Sequence, residues 1–144
     1  MYKRILVPID LQDTVVAAQV LGDAAYIARA SGAVLHLLTV VPTYSMSIVG
    51  SFFPDGYEAK ALDAARTALA EFMGAQDTPD GAKGHVAHGT IYDEIMKAAD
   101  KLDCDLIVMA SHRPELKDYL LGPNAARVVR HANQSVFVVR ATNA

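Results

Sequence analysis

The sequence predicts an α/β domain built on one doubly wound, open parallel sheet with helices on both faces. Five apolar runs lack polar alternation, as strands do when both of their faces are buried. Amphipathic stretches with helical spacing separate these runs. Because crossovers between parallel strands are right-handed, few topologies remain. We expect five parallel strands in the order 3-2-1-4-5, in a single domain over residues 1–144.

The first half of the chain contains two strand–helix pairs. Residues 5–9 form an apolar run that predicts the first strand. Asp13 or Thr14 caps the start of the first helix, and Gly32 ends it in a left-handed conformation. Residues 33–41 predict the second strand. A second helix follows, and its apolar face consists of Leu62, Ala65, Leu69, Phe72 and Met73.

The second half continues this alternation of strands and helices. A short third strand covers residues 85–88, and Thr90 then caps a third helix, with Asp93 in the position of a capping box. Residues 106–110 predict the fourth strand. The apolar face of the third helix consists of Ile91, Ile95, Ala98, Ala99 and Leu102.

Composition excludes several classes of function. The 13 Lys and Arg residues are outnumbered by 16 Asp and Glu, so the chain lacks the positive charge that nucleic-acid binding needs. Cys104 is the only cysteine, which excludes an intrachain disulfide and a thiolate metal cluster. No run of 18 apolar residues occurs, and we expect a cytoplasmic protein without a membrane partner.

The predicted topology places a ligand-binding crevice between strands one and four. In an open doubly wound sheet, ligands bind beyond the carboxyl ends of the strands, where the winding reverses. The segments at that point are residues 8–10 and 109–113. They consist of Pro8, Ile9 and Asp10 on one side and Met109, Ala110, Ser111, His112 and Arg113 on the other.

Asp10 is the carboxylate at that point of the predicted sheet. Its side chain can accept a hydrogen bond from an adenine amino group or a ribose hydroxyl, or hold a magnesium ion through water. The alternative is that Asp10 only caps the turn after the first strand. His112 likewise either contacts the ligand or orders its own loop.

The start of the last helix offers hydrogen-bond donors for a phosphate. Pro123 suits the first helical position but has no N–H, whereas Asn124 and Ala125 keep theirs. Gly122 allows a ligand to approach the backbone closely, and Arg113 can add a charged guanidinium. The alternative is that this segment is simply a well-formed helix start.

Two segments of the sequence resemble the universal stress protein family. Residues 3–10, Lys-Arg-Ile-Leu-Val-Pro-Ile-Asp, are similar to the family's first strand. Residues 122–140, which begin Gly-Pro-Asn-Ala-Ala-Arg, are similar to its last helix and strand. The similarity extends over the whole chain and implies the family's fold.

The phosphate-binding signature of that family is altered in this chain. Nucleotide-binding members carry Gly, two residues, Gly, nine residues, then Gly-Ser or Gly-Thr. Here Ala110 and Arg113 stand at the glycine positions, eight residues separate Arg113 from Gly122, and Pro123 replaces the hydroxyl residue. The segment Ser-His-Arg-Pro at residues 111–114 is instead similar to a bacterial variant of the family with His-Arg-Pro in place of the usual glycines.

The resemblance to this variant implies a regulatory stress protein that binds ATP or ADP, with or without magnesium. By the family pattern, Asp10 and the backbone of Val40 would hold the adenine. Met109 and Ala110 would line the adenine and ribose region. The residues around the phosphates would be Gly122, Pro123, Asn124 and Ala125.

The same resemblance implies a homodimer. The fifth strand covers residues 135–140, and in this family it pairs antiparallel with its copy across a two-fold axis. Without a partner, Val136, Phe137, Val138 and Val139 would form an apolar edge strand, which favours aggregation. The alternative is that the C-terminal tail or a neighbouring loop covers that edge.

Two other classes of function stay open at this stage. Arg113 and Pro123 can mark a decayed site in a nucleotide-free dimeric interaction module. Alternatively, the domain is a slow Mg-dependent ATPase or another ATP-dependent enzyme, although the sequence identifies no catalytic base or nucleophile. The apolar loop at residues 42–57 is a lid, an interface or an additional helix.

The spacing of the five histidines predicts no metal site. His85 and His88 are an odd number of residues apart on one strand, so their side chains face opposite sides of the sheet. His36 lies within the second strand, and His131 lies in the last helix.

Overall fold

Five parallel strands form the sheet that the sequence predicts. The structure, a computed structural model, describes residues 1–42, 57–111 and 122–140. The strands run in the order 3-2-1-4-5, so the predicted fold class and strand order are confirmed. Their bounds are β1 (Arg4–Pro8), β2 (Val34–Pro42), β3 (Lys83–Gly89), β4 (Leu106–Ala110) and β5 (Ser135–Val139).

Helices cover both faces of the sheet. In the described residues they are α1 (Thr14–Ser31), α2 (Tyr57–Gly74), α3 (Ile91–Lys101) and α4 (Pro123–His131). The first two pack on one face and the last two on the other. None of these described helices is long and apolar enough to cross a membrane. The cytoplasmic location expected from the sequence stays a prediction.

The sheet separates two apolar cores because successive strand residues point to opposite faces. Ile5 and Val7 of β1 belong to the core beneath α1 and α2, whereas Leu6 belongs to the core beneath α3 and α4. All three side chains have an exposed fraction of 0%. Burial on both faces is the reason why this strand has no polar alternation.

The first helix is capped as its sequence predicts. The Asp13 carboxylate accepts a hydrogen bond from the Val16 amide N–H at 3.2 Å. Gly32 ends the helix with φ at 72°, a left-handed conformation in which a side chain would be strained. Both ends of α1 are therefore determined by local chemistry.

The capping box predicted at Thr90 and Asp93 is wrong. Thr90 does precede α3, but its side chain makes no capping hydrogen bond. Asp93 is exposed, and the Glu94 side chain lies over Gly89, where an added Cβ would come within 2.9 Å of Glu94 Cγ. This contact between Glu94 and the end of β3 replaces the predicted exchange of side-chain hydrogen bonds.

Candidate functional site

The carboxyl ends of β1 and β2 lie side by side at one edge of the sheet. Pro8 is in register with Leu38, and the Ile9 amide N–H donates to the Leu38 carbonyl oxygen at 2.7 Å. The chain of β2 then continues through Val40, a half-buried residue that packs against the core beneath α3 and α4. Val40 thus lies two residues beyond Leu38, the last residue of β2 that is paired with β1.

Asp10 begins the turn between β1 and α1. Its Oδ1 atom accepts the Gln12 amide N–H at 2.9 Å, and its carbonyl oxygen accepts the Asp13 amide N–H at 3.1 Å. The turn-capping alternative for Asp10 is therefore confirmed. Because Asp10 is exposed, its other carboxylate oxygen, Oδ2, remains available to a ligand, and this second role stays a prediction.

The carboxyl end of β4 lies at the same edge. β1 pairs with β4 in parallel, so that Leu6 faces Ile107, and the two strands end together. Met109 is 5% exposed and belongs to the core beneath α3 and α4, whereas the half-buried Ala110 packs against the opposite core. Ser111 is buried, and its amide N–H donates to the Val139 carbonyl oxygen at 3.0 Å.

A backbone hydrogen bond joins the start of α4 to this edge. The Gly122 amide N–H donates to the Ser111 carbonyl oxygen at 2.6 Å, which places the first turn of α4 directly beyond the end of β4. Gly122 is buried and extended, with φ at −67° and ψ at 168°. The neighbouring Ala125 is buried beneath it, at 2% exposure.

Within residues 1–42, 57–111 and 122–140, no side chain caps the N-terminus of α4. Gly122 occupies the capping position, and the first helical hydrogen bond runs from the Ala126 amide to the Gly122 carbonyl. The amides of Asn124 and Ala125 precede that bond, so helix geometry gives them no intrahelical acceptor. These two amides and the helix dipole favour the binding of an anion at this helix start. Pro123, which lies between Gly122 and Asn124, has no N–H to donate.

The structure therefore brings most of the predicted site residues to one edge of the sheet. Two of the predicted residues, His112 and Arg113, lie outside the described residues. Residues 43–56 of the predicted apolar loop also lie outside them. The predicted residues that the structure places at this edge are Pro8, Ile9, Asp10, Val40, Met109, Ala110, Ser111, Gly122, Pro123, Asn124 and Ala125.

A cavity of about 300 Å³ lies elsewhere, between α3 and the turn from α4 to β5. It is bordered by Asp100 and Gln134, whose side chains share a hydrogen bond of 2.8 Å from Gln134 Nε2 to Asp100 Oδ1. This turn follows the C-terminus of α4, so the cavity is remote from the uncapped helix start. We place the candidate site at the carboxyl edge, because backbone donors converge there.

A cation–π contact braces the two helices on this face. The Arg127 guanidinium lies 4.5 Å from the centre of the Tyr92 ring. This contact joins α4 to α3, and Arg127 is about one helical turn after the start of α4. Neither residue was singled out in the sequence, since the contact depends on how the two helices pack.

Cys104 is inert, as its position between two aspartates predicts. Burial is the main cause: it raises the pKa of the thiol to about 11, and the charges of Asp105 and Asp103 add to the increase. A thiol with this pKa carries almost no thiolate at neutral pH, so it is a poor nucleophile.

The sequence reasoning missed a pair of imidazoles on β2 and β3. His36 Nδ1 and His85 Nε2 are 2.9 Å apart, so one ring donates a hydrogen bond to the other. Burial lowers the pKa of both rings; the positive charges of Lys83 and Arg4 lower that of His36 further, and Lys83 that of His85. Their contact depends on the register of β2 against β3, which the spacing along either strand does not show.

Comparison with known proteins identifies similar chains over nearly the full length. The model of the universal stress protein family matches residues 1–140. Universal stress protein G of Salmonella typhimurium is 34% identical, over 97% of this chain and 100% of that protein. The solved structure of MJ0577, a universal stress protein of Methanocaldococcus jannaschii, superposes with a TM-score of 0.77 at 26% identity, covering 100% of this chain and 99% of that one.

Two solved structures of the same fold contain adenine nucleotides. One is a universal stress protein in complex with cAMP, at a TM-score of 0.65 and 24% identity over 98% of both chains. The other, from Archaeoglobus fulgidus, is in complex with dAMP, at a TM-score of 0.60 and 22% identity, covering 96% of this chain and 98% of that one. At these identities the likeness shows a shared fold.

Proposed function

The chain belongs to the universal stress protein family, and from this premise we propose that it binds an adenine nucleotide, ATP or ADP, at the carboxyl edge of its sheet. The nucleotide would act as a regulatory ligand, changing what the protein can contact. A ligand does this only to the extent that it binds one conformation better than another.

The uncapped start of α4 is the observation that carries this proposal. Gly122 is tied to the end of β4 by the 2.6 Å hydrogen bond to Ser111, so the amides of Asn124 and Ala125 are held at the crevice. Their donors and the helix dipole suit the phosphates, which are the anionic part of the ligand. Pro123 removes one donor, and we therefore expect binding to be weaker than the unaltered family signature would give.

The adenosine part of the ligand would lie over β1 and β2. Asp10 Oδ2 would accept from the adenine amino group or a ribose hydroxyl, and the Val40 backbone would contact the base. Met109 and Ala110 would line the adenine and ribose region. The cAMP and dAMP complexes of the two structural neighbours support adenine as the base.

Magnesium would enter with the nucleotide. Asp10 is the exposed carboxylate at this edge, and as the alternative to its contact with adenine or ribose it would hold the ion through water while the phosphates coordinate it directly. The described part of the chain brings no group of three or more potential metal-ligating side chains together, so an ion held by the protein alone is not proposed for this edge.

We also propose that β5 pairs with its copy in a homodimer. β5 is an edge strand, hydrogen-bonded on one side to β4. Phe137 is 45% exposed, and Val136 and Val138 are half-buried, so the described part of the chain leaves an apolar edge uncovered. Sedimentation should give twice the monomer mass for the native protein and the monomer mass for Phe137→Asp, whereas a monomeric native protein would contradict the dimer.

The test of nucleotide binding is isothermal titration with ATP, ADP and AMP, each with and without magnesium, supported by thermal shift. Ligand at 100 times its dissociation constant should stabilise the fold by about 2.7 kcal/mol, which raises the Tm by several degrees. No binding by any of these nucleotides at millimolar concentration would refute the proposal and favour a nucleotide-free interaction module. Turnover of ATP during the titration would instead favour the ATPase alternative.

The variant Asp10→Asn tests whether the ligand contacts the Asp10 carboxylate. The Asn oxygen can still accept the Gln12 amide, so the turn is preserved, but Oδ2 becomes a donor that opposes the adenine or ribose donor. We expect a loss of affinity of roughly tenfold or more, from about 1–3 kcal/mol per unmatched polar group. Asp23→Asn, an exposed substitution on α1, is the matched control and should bind as the native protein does.

A further inference from the structure

The cation–π contact between Arg127 and Tyr92 lies toward the carboxyl edge of the sheet. Tyr92 is the second residue of α3 and is half-buried against the core beneath α3 and α4. Both helices start beyond the carboxyl end of a strand and run back toward the amino edge, because the strands before and after each of them are parallel. The first turn of α3, with Tyr92, is therefore at the same edge of the sheet as the start of α4.

The Arg127 side chain leans toward the start of its own helix. Arg127 is the fifth residue of α4, and a long side chain on a helix covers the turn that precedes its own Cα. That turn contains Pro123 and Asn124. The stacking of the guanidinium on Tyr92, a first-turn residue of the neighbouring helix, agrees with this direction. The guanidinium is therefore placed beside the amides of Asn124 and Ala125, which have no intrahelical acceptor.

The hydrogen-bond donors of Arg127 are available to a ligand. The residue is exposed, and among the described residues its guanidinium contacts the Tyr92 ring and forms no ion pair. The first turn of α4 contains no acidic residue that could neutralise it. Stacking uses the face of the guanidinium, whereas its N–H groups lie in the plane and keep their capacity to donate. A charged donor thus lies beside a helix start that already favours an anion.

From this placement we propose that Arg127, oriented by Tyr92, contacts the β-phosphate of the nucleotide and makes the site prefer ADP and ATP to AMP. The inference rests on the proposed nucleotide site. There the amides of Asn124 and Ala125 satisfy one phosphate group, and Pro123 has no N–H for a second one. The Arg127 guanidinium supplies further donors and a full positive charge, which favours a diphosphate over a monophosphate.

Tyr92 is a positioning residue in this arrangement. An exposed arginine loses side-chain entropy when it binds a ligand. The Tyr92 ring restricts the rotamers of Arg127 before the nucleotide arrives, so less entropy is lost on binding. Removal of the ring should therefore weaken ADP binding although the ring itself contacts no phosphate. Tyr92→Phe keeps the aromatic face and should keep the preference for ADP.

The experiment compares the dissociation constants of AMP and ADP by isothermal titration of the full chain, without magnesium and at one fixed ionic strength. The deciding quantity is the ratio of the AMP constant to the ADP constant, because a purely structural role would change both constants together. The native protein should prefer ADP, and Arg127→Gln should lower the ratio by about tenfold, the equivalent of one charge-assisted hydrogen bond. Tyr92→Leu should lower it by a smaller factor, and Tyr92→Phe should retain the native ratio.

Arg130→Gln is the matched control. Arg130 is exposed in the last turn of the same helix, so the substitution removes the same charge at the opposite end of α4 and should leave the ratio unchanged. An equal loss in Arg130→Gln would reveal a general effect of net charge and would overturn the proposal. In the Arg127→Gln background, Tyr92→Leu should have no further effect on the ratio, because Tyr92 acts through Arg127. Circular dichroism checks that each variant folds.

The outcomes separate the role of Arg127 from the nucleotide site itself. A native protein that binds AMP and ADP equally, or an Arg127→Gln variant that keeps the native ratio, would overturn this role and leave the proposed nucleotide site in place. Absence of binding of either nucleotide to the native protein would instead refute the proposed function, and the inference about Arg127 with it.

Discussion

The starts of α1 and α4 occupy equivalent places in the fold but differ in how their amides are satisfied. Among the described elements, each helix is the next one along the chain after an interior strand of the sheet, α1 after β1 and α4 after β4. At α1, the Asp13 side chain accepts the Val16 amide. At α4, the capping residue is Gly122, which has no side chain to offer.

The start of α1 therefore contributes to stability, whereas the start of α4 is available to a ligand. An aspartate cap occupies one of the N-terminal amide donors of its helix and places a negative charge there, which repels an incoming phosphate. A glycine leaves the same donors free and the dipole uncompensated. Within one sheet edge, the identity of the capping residue therefore indicates where we expect the anion of the proposed ligand to bind.

The largest effect should come from giving α4 the cap that α1 already has. In Gly122→Asp, the new carboxylate would accept the Asn124 or Ala125 amide and repel the phosphates. Loss of two charge-assisted hydrogen bonds should weaken ATP or ADP binding by roughly 100-fold. Gly122→Ala, titrated in parallel, adds a side chain without a cap, so an equal loss there would show that crowding at this buried position, not capping, is the cause.

The reverse change at α1 should affect stability alone. Asp13→Ala removes the acceptor of the Val16 amide and should lower the free energy of unfolding by about 1 kcal/mol, within a range of roughly 0.5–2 kcal/mol. Urea denaturation measures this loss. Nucleotide affinity should not change, because the backbone hydrogen bond from Asp13 to Asp10 survives; weaker binding would mean that the two helix starts are not independent.

A smaller gain is expected from Pro123→Ser, which restores the missing donor of α4. The new backbone N–H, with the hydroxyl beside it, should tighten nucleotide binding by up to about tenfold, the equivalent of one hydrogen bond to a charged group. Pro123→Ala supplies the N–H without the hydroxyl. Comparison of the two variants therefore separates the contribution of the N–H to affinity from that of the hydroxyl. Unchanged affinity in both variants would place the phosphates away from this turn.

The smallest effect is expected at the start of α3. Thr90→Ala should change the free energy of unfolding by no more than about 0.5 kcal/mol, because the Thr90 side chain makes no capping hydrogen bond. Urea denaturation, as for Asp13→Ala, measures this change in the free energy of unfolding. A loss as large as that of Asp13→Ala would show that Thr90 caps the helix in solution.

The sequence was sufficient to predict the sheet and its strand order, and with them the edge at which we propose that the nucleotide binds. Residues 5–9 and 106–110 are apolar without alternation, and this pattern requires burial on both faces, hence a parallel sheet with a defined ligand edge. The start of α4 was predictable for a similar reason, since Gly122 and Pro123 have backbone properties that act locally.

Features that depend on packing between elements were not predictable in the same way. The capping box at Thr90 does not form, and at this helix start the Glu94 side chain packs over Gly89 at the end of β3, a contact between elements that local spacing does not show. The pairing of His36 with His85 depends on the register of β2 against β3, and a shift of one residue would have put the rings on opposite faces. Spacing along a single strand, as for His85 and His88, carries no such information.

The most direct test of the nucleotide site is to follow the backbone amide resonances of Val16, Asn124 and Ala125 during titration with ADP. Val16 is the internal reference, because its amide is already bound by Asp13. We predict large, saturable shifts at Asn124 and Ala125 with little change at Val16. Unmoved Asn124 and Ala125 amides at saturating ADP, or a shift of Val16 as large as theirs, would contradict the assignment of the phosphates to the uncapped start of α4.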